Sequence, residues 1–558
     1  MTLEMNRREA IAFGVASLAS LTIPASAQKG MTASLVPRHD EGVQRMLDAQ
    51  VTDAQSRWCG AIPDQYGIHY CPEVARLLRD GAAAYFHPES RFHQRGDLLK
   101  RMQLGADFLV RSQSKDGNID LPSTNFNSPP DTGFVVHSVA TAAKLAQMHN
   151  DEKVMNLTKE FLVNAGRGLS RGGIHTPNHR WVVCEALAQI NEVFPDRRYV
   201  RRIDQWLAEG IDIDEHGQYT ERSTAGYNTV VDNALIVVAH KLNRPELLDP
   251  VRKNLDAMAY LLHPNGEVVT EISRRQDVNT RRTMSRYWFA LRYMALKDRN
   301  GLYAAMLKPL EPDNMKLARF MEYPELEKPL PAETSIPDDY AREYDAYDIS
   351  RIRRGRTSIT ILHHNSRWIS AHQGEAVING IRFASAFFGK GQFSPTTYEK
   401  RDDGYYFRQT LGGRYLQPIT DTSLMPVTPD TWGRVVPRRE RSELCEMVYE
   451  AHLRETSQGM EISISATGTD NVPLAIEINL RTADTLSGVI PVPNTGDTFL
   501  LKEGFAEYKA DNDIIRFGPG KAEHAWTQLR GAEGKLPGPS VYLTGYTPFE
   551  HTLVFEMG

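Results

Sequence analysis

The sequence predicts an α-helical domain followed by an antiparallel β-sandwich. Three observations lead to this fold class. The chain has 558 residues. A single hydrophobic core is rarely built from so many residues, so two large domains are expected. Apolar residues recur at helical spacing from about residue 40 to 310. From about residue 350 onward, apolar and polar residues alternate with a period of two.

The helical half contains apolar segments separated by short linkers rich in Gly, Pro, Asn and Asp. The spacing predicts helices over 74–86, 95–113, 134–149, 181–194 and 230–240. These lengths suit stacked helical pairs, in which every second helix starts at the same end of the domain.

Four polar, aromatic-bearing segments each precede a helix in this half: 131–134, 176–181, 223–228 and 280–287. Successive segments are about fifty residues apart, the length of one long helical hairpin. If the hairpins close into an incomplete (α/α) toroid, the four segments converge on one mouth, where a cleft forms. Helix starts are generally polar, so the same pattern also fits starts that do not converge.

The stretch 311–348 is rich in proline and acidic residues, which indicates a connection between domains. It separates a helical domain, 28–310, from a β-domain, 349–558. Short alternating segments of the β-domain predict strands over 357–362, 368–371, 461–466, 474–480 and 541–544. The dipeptides Asp403-Gly404 and Gly412-Gly413 predict turns, and many short strands with frequent turns indicate a β-sandwich.

Residues 1–27 have the layout of a cleaved export signal. The pair Arg7-Arg8 precedes an apolar run, and Ala25 and Ala27 supply the small residues that signal peptidase requires. This pattern predicts a periplasmic or secreted protein that begins at about Gln28, with the twin-arginine route as one option. A disordered N-terminal arm is the alternative interpretation.

The charge balance excludes some partner classes. The chain carries 65 Lys and Arg against 70 Asp and Glu, a net charge of −5, and lacks the basic bias of nucleic-acid binders. After the N-terminal run, no segment is apolar and long enough for a membrane span. Of the four cysteines, Cys59 and Cys71 could pair in an oxidising compartment, and the absence of Cys-x-x-Cys argues against a cysteine zinc site.

The segment Thr176-Pro177-Asn178-His179 combines a helix start with groups suited to an acidic sugar. Thr is a favoured N-cap and Pro a favoured first helical residue, so Asn178 and His179 fall in the first turn of a very apolar helix. Backbone N–H groups at a helix start attract carboxylates. Asn178 adds an amide donor and His179 a group that titrates near neutrality, so both are predicted to be catalytic.

His175 and Arg180 flank this pair and are predicted to bind substrate. Capping or solvent contact is the common alternative for a histidine at a helix start. His175 and His179 are four residues apart, as in some zinc-binding helices, but Pro177 lies between them and no Glu follows His175. We therefore predict neither a metal nor another cofactor.

A second polar segment, 214–228, leads through a strand-like stretch with Tyr219 to a helix start at Tyr227. Tyr227 stands at its helix start as His179 stands at the earlier one. A tyrosine hydroxyl can donate or accept a proton in a suitable environment. We predict that Tyr227 is catalytic and that Tyr219 contacts substrate, although packing is the commoner fate of such a tyrosine.

The pairing of Asn178-His179 with the pattern Asp-x-x-Gly-x-Tyr-x-Glu-Arg-Ser and Tyr-Asn over 214–228 resembles the heparinase II/III-like and alginate-lyase group. The resemblance implies an incomplete (α/α) toroid followed by a β-sandwich, and an anionic polysaccharide or oligosaccharide as substrate. It also implies that Asn178 neutralises a uronate carboxylate while His179 and Tyr227 act as base and acid. The histidine-rich metal motif of some relatives is missing around His363 and His364.

Enzymes of this kind remove the proton at C5 of a uronate and expel the oxygen at C4. Donors that stabilise the enolate-like intermediate must be in place beforehand. A base must reach C5 and an acid must reach the leaving oxygen. Tyr227 serves both roles if the proton and the leaving group lie on one face of the sugar; otherwise His179 removes the proton.

Further side chains are predicted to bind the sugar chain. A basic and aromatic stretch offers bidentate carboxylate donors: Arg274, Arg275, Arg281, Arg282, Arg286 and Tyr287. Of these, Arg275, Arg282 and Tyr287 are the predicted substrate contacts, although a solvated helix face also carries such charges. Asn125 and His137 beside the first polar segment, and His372 in the β-domain, complete the set.

Two other functions fit parts of the sequence. A glycoside hydrolase needs two carboxylates at the scissile bond, and Glu221 is the most plausible of four: Asp214, Glu215, Glu221 and Asp232. A non-catalytic glycan-binding protein would keep the cleft without needing titratable groups. The favoured interpretation is a polysaccharide lyase that cleaves a uronic-acid-containing glycan by β-elimination, with glucuronate as one candidate uronate.

Overall fold

The computed structural model describes residues 31–310, 315–419, 426–482 and 484–558. The predicted export signal lies outside these residues. Over the described ranges, the predicted succession of a helical domain and a β-domain is confirmed. None of the described helices is long and apolar enough to cross a membrane.

The helical domain is built from consecutive helices that pack in pairs. The helices are α1 Met31–Ala49, α2 Cys71–Phe86, α3 Gly96–Arg111, α4 Pro129–Met148, α5 Glu152–Leu169, α6 His179–Val193, α7 Arg197–Leu207, α8 Tyr227–Leu242, α9 Leu248–Met258, α10 Trp288–Asp298, α11 Gly301–Leu307 and α12 Leu317–Glu322. Helices α2, α4, α6, α8 and α10 pack side by side in that order. Since α12 packs against both α2 and α4, the row curves into an incomplete (α/α) toroid.

Burial separates the inner helices from the outer ones. Nearly every residue of α6 is buried, including the polar His179, Arg180, Glu185 and Gln189, as expected for an inner helix that is surrounded by other elements. The outer helix α7 buries only Tyr199 and Ile203 and turns its charged face to solvent. Because the chain returns through an outer helix after each inner one, the inner helices begin at the same end of the toroid.

The β-domain consists of two sheets. A hairpin in the helical domain supplies β1 Ile119–Leu121 and β2 Asn125–Ser128. The later strands are β3 Asp339–Tyr344, β4 Ile349–Arg354, β5 Thr357–Leu362, β6 Ile369–Gln373, β7 Ala376–Ser385, β8 Gly391–Gln392, β9 Thr397–Arg401, β10 Gly404–Leu416, β11 Arg441–Thr456, β12 Gly459–Gly468, β13 Pro473–Leu480, β14 Thr485–Ser487, β15 Ile490–Pro491, β16 Thr498–Leu500, β17 Ala506–Ala510, β18 Asp513–Gly518, β19 Ser540–Tyr546 and β20 Phe549–Met557.

The first sheet has the order β14-β17-β18-β20-β12-β11-β10-β9. The second has the order β15-β16-β19-β13-β7-β6-β5-β4-β3, with β8 paired to β7. Neighbouring strands are antiparallel except β16 and β19, which run parallel. A short helix, α13 Trp432–Val435, lies between β10 and β11.

The second sheet is covered on both of its faces. In β5, Ile359 and Ile361 belong to the core shared with the first sheet, whereas Ser358 hydrogen-bonds His263 of the helical domain. Every residue of β6 is buried. The polar positions of these alternating strands therefore face the toroid, not solvent.

The predicted turn at Gly412-Gly413 is wrong. Both glycines lie inside β10, where they pair with Glu446 and Cys445 of β11. The ring of Phe388 occupies the space that a side chain at position 413 would need. Close packing, not a turn, thus accounts for Gly413.

The optional disulfide between Cys59 and Cys71 is not formed, because both side chains are free thiols. Cys71 is buried at the start of α2, and this burial raises the pKa of its thiol to about 12. The proline-rich stretch 311–348 contains α12, which packs in the toroid, and β3, which pairs with β4; residues 311–314 lie outside the described ranges.

Two stacked imidazoles at the domain boundary make stability sensitive to acid. The ring centroids of His263 and His372 are 3.7 Å apart, and both rings are buried. Burial holds the pKa of each imidazole well below its usual value, helped by neighbouring arginine charges and, for His263, by the charge of His372. Since the unfolded chain protonates both as the pH falls through about 6.5, we expect a loss of about 2 kcal/mol of unfolding free energy per imidazole at about pH 5.

Chemical denaturation across this pH range measures the effect. In His372→Gln the unfolding free energy should fall less steeply with decreasing pH than in the wild type, because one neutral imidazole is gone. His93→Gln, which replaces an exposed histidine, is the matched control and should keep the wild-type slope. Equal slopes in all three proteins would contradict the prediction.

Candidate active site

The four polar segments that precede inner helices meet at one mouth of the toroid. Phe134 of the first segment contacts His179 of the second, with ring centroids 6.3 Å apart. Phe134, Tyr227 of the third segment and Arg286 of the fourth line one cavity of about 440 Å³, which we call the cleft. The predicted convergence is confirmed, and the volume is typical of ligand-binding pockets.

The start of α8 is held by Asp277, from the loop that follows α9. The Asp277 carboxylate accepts hydrogen bonds from Ser223 Oγ at 2.9 Å and from the Ala225 N–H at 3.1 Å. Ser223 Oγ accepts the Tyr227 N–H at 2.9 Å. Tyr227 is half-buried, and its hydroxyl bonds to none of the described residues, which leaves it available to a ligand. No local pattern marks Asp277 as part of the site, because its partner Ser223 lies 54 residues earlier in the chain.

Glu221 connects the start of α6 to Tyr227 through Arg275. Its Oε2 accepts a hydrogen bond from Asn178 Nδ2 at 2.7 Å, and its Oε1 is ion-paired with Arg275. The Arg275 guanidinium lies 4.2 Å from the centroid of the Tyr227 ring. Glu221 is buried and the Arg275 side chain is 19% exposed. The pair is thus shielded from solvent, with its positive charge beside Tyr227.

Asn178 lies at this site, but its amide is already occupied. Besides its bond to Glu221, Nδ2 donates to Thr176 Oγ1 at 3.1 Å. The residue is 1% exposed, and Oδ1 has no partner within the described ranges. The Asn178 side-chain amide, which we predicted to bind a substrate carboxylate, therefore binds the Glu221 carboxylate of the protein instead.

His179, the first residue of α6, is neutral. Its ring is buried and lies edge-on to His175, with centroids 4.6 Å apart. Burial, and then the charge of His175, lower the pKa of His179 to about 4, although Asp131 opposes this. Its Nδ1 bonds to no described residue. A pKa this low keeps the ring in the unprotonated form that a general base requires, and it also makes the ring a weak base near neutral pH.

The predicted contact Asn125 lies on the hairpin strand β2 at the rim of this site. It donates a hydrogen bond to Asp131 at 2.8 Å, and Asp131 acts electrostatically on His179. The neighbouring Phe126 is strongly exposed. The hairpin therefore places an amide and an aromatic ring beside the mouth, close to His175 and His179.

Arg282 and Arg286 supply positive charge that the protein does not neutralise. Both are exposed and line the cleft. Neither guanidinium forms a hydrogen bond or ion pair with any residue that the structure describes. Unpaired arginines in a cleft suit a carboxylate, which they bind bidentately.

Arg180 does not reach the cleft, which corrects its prediction as a substrate contact. It pairs with Asp212 at 2.5 Å and with Glu209 at 3.3 Å and lies over the ring of Trp181. The side chain points away from the mouth because it is one position further round α6 than His179. Its ion pairs with Asp212 and Glu209 link α6 to the loop that follows α7.

Tyr219 and Tyr287, also predicted substrate contacts, are buried instead. The Tyr219 hydroxyl donates to Asp232 at 2.8 Å, and the Tyr287 hydroxyl donates to the Thr224 carbonyl at 2.8 Å. Both rings are packed inside the helical domain, so they stabilise the elements that carry the site and cannot contact a ligand in the cleft.

His372 lines a separate cavity of about 170 Å³ at the domain boundary, together with Arg281 and Arg367. This position differs from the predicted cleft position, because β6 faces the toroid beside His263. His137 lies one turn beyond Phe134 on α4, contacts Glu185 at 3.4 Å and lines a further cavity at the toroid axis.

Three of the four carboxylates that a hydrolase would use are engaged with protein groups; the fourth, Glu215, is strongly exposed beside His216 and does not line the cleft. Asp214 accepts the Tyr347 hydroxyl at 2.7 Å, Asp232 is buried with Tyr219, and both oxygens of Glu221 are bonded. Within the described ranges, no three His, Cys, Asp or Glu side chains come together so as to hold a metal ion.

Solved structures with this fold match nearly the whole chain. A Paenibacillus xanthan lyase has a TM-score of 0.54 and 9% identity, with 94% of this chain and 56% of that chain covered. A Streptomyces coelicolor A3 chondroitin AC lyase has a TM-score of 0.55 and 11% identity, with 95% and 80% covered. Heparinase III has a TM-score of 0.50 and 11% identity, with 99% and 88% covered.

The chain thus spans little more than half the length of the xanthan lyase. No protein-family model matches the sequence, and no curated protein sequence matches it. The likeness is one of fold: the helical domain and the β-domain follow in the same order.

Proposed function

We propose that this protein is a polysaccharide lyase that cleaves a uronic-acid-containing glycan by β-elimination. The observation that carries the proposal is the meeting of Tyr227, Arg275 and neutral His179 beside a cleft with two unpaired arginines. The fold supports it, because the xanthan lyase, the chondroitin AC lyase and heparinase III share it.

The uronate carboxylate binds Arg282 and Arg286 at the mouth. Their positive charge stabilises the extra negative charge that develops on the carboxylate when C5 loses its proton. Asn178 acts as a positioning residue, because it holds Glu221, which in turn holds Arg275 over Tyr227.

Proton transfer falls to Tyr227 and His179. The base takes the C5 proton, the released electron pair forms the C4–C5 double bond, and the C4–O bond breaks. Tyr227 donates a proton to the leaving oxygen. Where the C5 proton and the leaving group lie on opposite faces of the sugar, His179 is the base; where they share a face, the Tyr227 oxygen, with its own proton already released, takes the C5 proton and then passes that proton to the leaving oxygen.

The same geometry disfavours a glycoside hydrolase. Hydrolysis needs two carboxylates that face the bond about 5 to 10 Å apart. Glu221 is buried and ion-paired with Arg275, and Asp277 in the cleft accepts hydrogen bonds from Ser223, Ser273 and Ala225. Neither carboxylate is free to protonate a leaving group or to attack a sugar.

A screen of uronic-acid polysaccharides tests the proposal. We expect ultraviolet absorbance from unsaturated ends to rise with a glucuronate-containing polymer. The same polymer after chemical reduction of its carboxyl groups is the control and should stay inert, because nothing then binds the arginines. New reducing ends without this absorbance would establish hydrolysis, and binding without either product would establish a glycan-binding protein.

We also propose that the protein is exported, with residues 1–27 removed. N-terminal sequencing of the protein from the periplasm and the medium should give a start at about Gln28. Recovery of a full-length chain from the cytoplasm would contradict this.

A further inference from the structure

The cleft continues into a second cavity at the toroid axis, which we call the axial pocket. Its volume is about 310 Å³, at the lower end of the range for ligand pockets. It shares Ser285 and Arg286 with the cleft. On α4 the lining passes from Phe134 in the cleft to His137 and Thr141 in the pocket, one and two turns further along the helix.

The axial pocket carries uncompensated positive charge. Four basic side chains line it against one carboxylate, that of Glu322. Arg79 is paired with Asp80 at 2.7 Å and Arg319 with Glu322 at 3.4 Å. The two others, Arg286 and Lys316, form no ion pair with any described residue. Burial, and then the charges of Arg38 and Arg79, lower the pKa of Lys316, as expected where positive charge accumulates.

The floor of the axial pocket is closed by a buried network. Glu322 accepts the Thr141 hydroxyl at 3.0 Å and pairs with Lys241 at 3.2 Å. Lys241 also pairs with Glu192. The side chains of Glu322 and Lys241 are each 2% exposed. A sugar chain that enters the pocket therefore cannot continue past Glu322.

The wall offers an apolar surface to a sugar ring. Trp288 and Phe289 at the start of α10 line the pocket beside Arg286. Aromatic walls with a few convergent polar groups are typical of small-molecule sites. The pocket thus combines a closed end, an apolar wall and free positive charge.

We propose that the axial pocket binds the terminal, anionic sugar of the polysaccharide, so that the enzyme cuts near a chain end and not at internal bonds. The inference rests on the proposed lyase function. Lys316 binds the acidic group of the terminal sugar in the axial pocket. Arg286, at the junction of pocket and cleft, binds together with Arg282 the carboxylate of the next uronate, whose linkage lies beside Tyr227.

The size of the products tests this mode of action. With a polymer that the wild type cleaves, size-exclusion chromatography should show small unsaturated products from the earliest times. The remaining polymer should keep its size while these products accumulate. An early collapse of polymer size, with unsaturated ends on long fragments, would overturn the axial pocket and leave the lyase proposal standing.

The variant Lys316→Gln removes a charge from the axial pocket alone. We expect its KM for the polymer to rise about five- to tenfold with kcat unchanged, since a charged hydrogen bond to the terminal sugar is lost. Lys159→Gln, an exposed lysine on α5, is the matched control. Identical kinetics of the two variants would overturn the proposal.

Binding of free D-glucuronate, followed by saturation-transfer NMR, gives a readout without cleavage. Lys316→Gln should bind it more weakly than Lys159→Gln does. If that difference is found but no polymer yields unsaturated ends, the pocket stands and the lyase function fails. If unsaturated ends form but the two variants bind equally, the pocket fails and the lyase function stands.

Discussion

Tyr227→Phe is expected to lower kcat about 10²- to 10⁴-fold with little change in KM, which is the range for loss of a general acid or base. The substitution removes one oxygen from a half-buried ring. That oxygen bonds to no described residue, so the fold loses no hydrogen bond. The rate of formation of unsaturated ends, measured at several substrate concentrations, separates the kcat effect from the KM effect.

Tyr415→Phe is the matched control for this substitution. Tyr415 is exposed on β10 of the sheet remote from the toroid, and its variant should match the wild type. Thermal unfolding should give similar midpoints for all three proteins. Wild-type kcat in Tyr227→Phe would remove Tyr227 from the mechanism and leave His179 as the only titratable group of the predicted cluster.

Arg275→Gln is expected to lower the unfolding free energy by about 3 kcal/mol, because it leaves the buried Glu221 carboxylate without its counter-charge. Lyase activity should fall as well, since the positive charge beside Tyr227 disappears. Chemical denaturation and steady-state kinetics measure the two effects separately.

The double variant Arg275→Gln/Glu221→Gln distinguishes stability from catalysis. Most of the lost stability should return, because no unpaired charge remains buried. Activity should stay low, because the guanidinium is still missing. Arg274→Gln, at the exposed neighbouring position, should resemble the wild type in both measurements. Full activity in the double variant would show that the positive charge of Arg275 is not needed for catalysis.

The order of the domains follows from local patterns. Segments such as 181–194 and 357–362 were predicted as helix and strand, and α6 His179–Val193 and β5 Thr357–Leu362 occupy almost the same residues. Periodicity identifies such elements because one face of each must be apolar. The turn prediction at Gly412-Gly413 was wrong because glycine also occurs where another residue packs closely against the backbone. Such a packing partner cannot be identified from the neighbouring sequence.

The site was predicted in part for a similar reason. Helix starts have sequence signatures, so 176–181 and 223–228 could be placed at one end of the toroid before their contact was known. Arg180 and Tyr287 lie within two of the four segments and Tyr219 lies just before a third, yet all three side chains point into the protein and not into the cleft. Neighbouring residues on a helix point in directions about 100° apart. The spacing of a whole segment predicts where the helix starts, but it does not predict which of its side chains faces the cleft.

Local periodicity and helix capping suffice to predict the two domains, their order and the helix starts that form the mouth. What those helix starts contact depends on tertiary packing. Glu221 and Arg275 are 54 residues apart in the chain, and their ion pair commits the Asn178 amide to the protein. Likewise, the alternation in β5 predicts a strand, but only the packed domains show that its polar face meets the toroid. Such contacts arise from how elements pack, and packing depends on the whole chain at once.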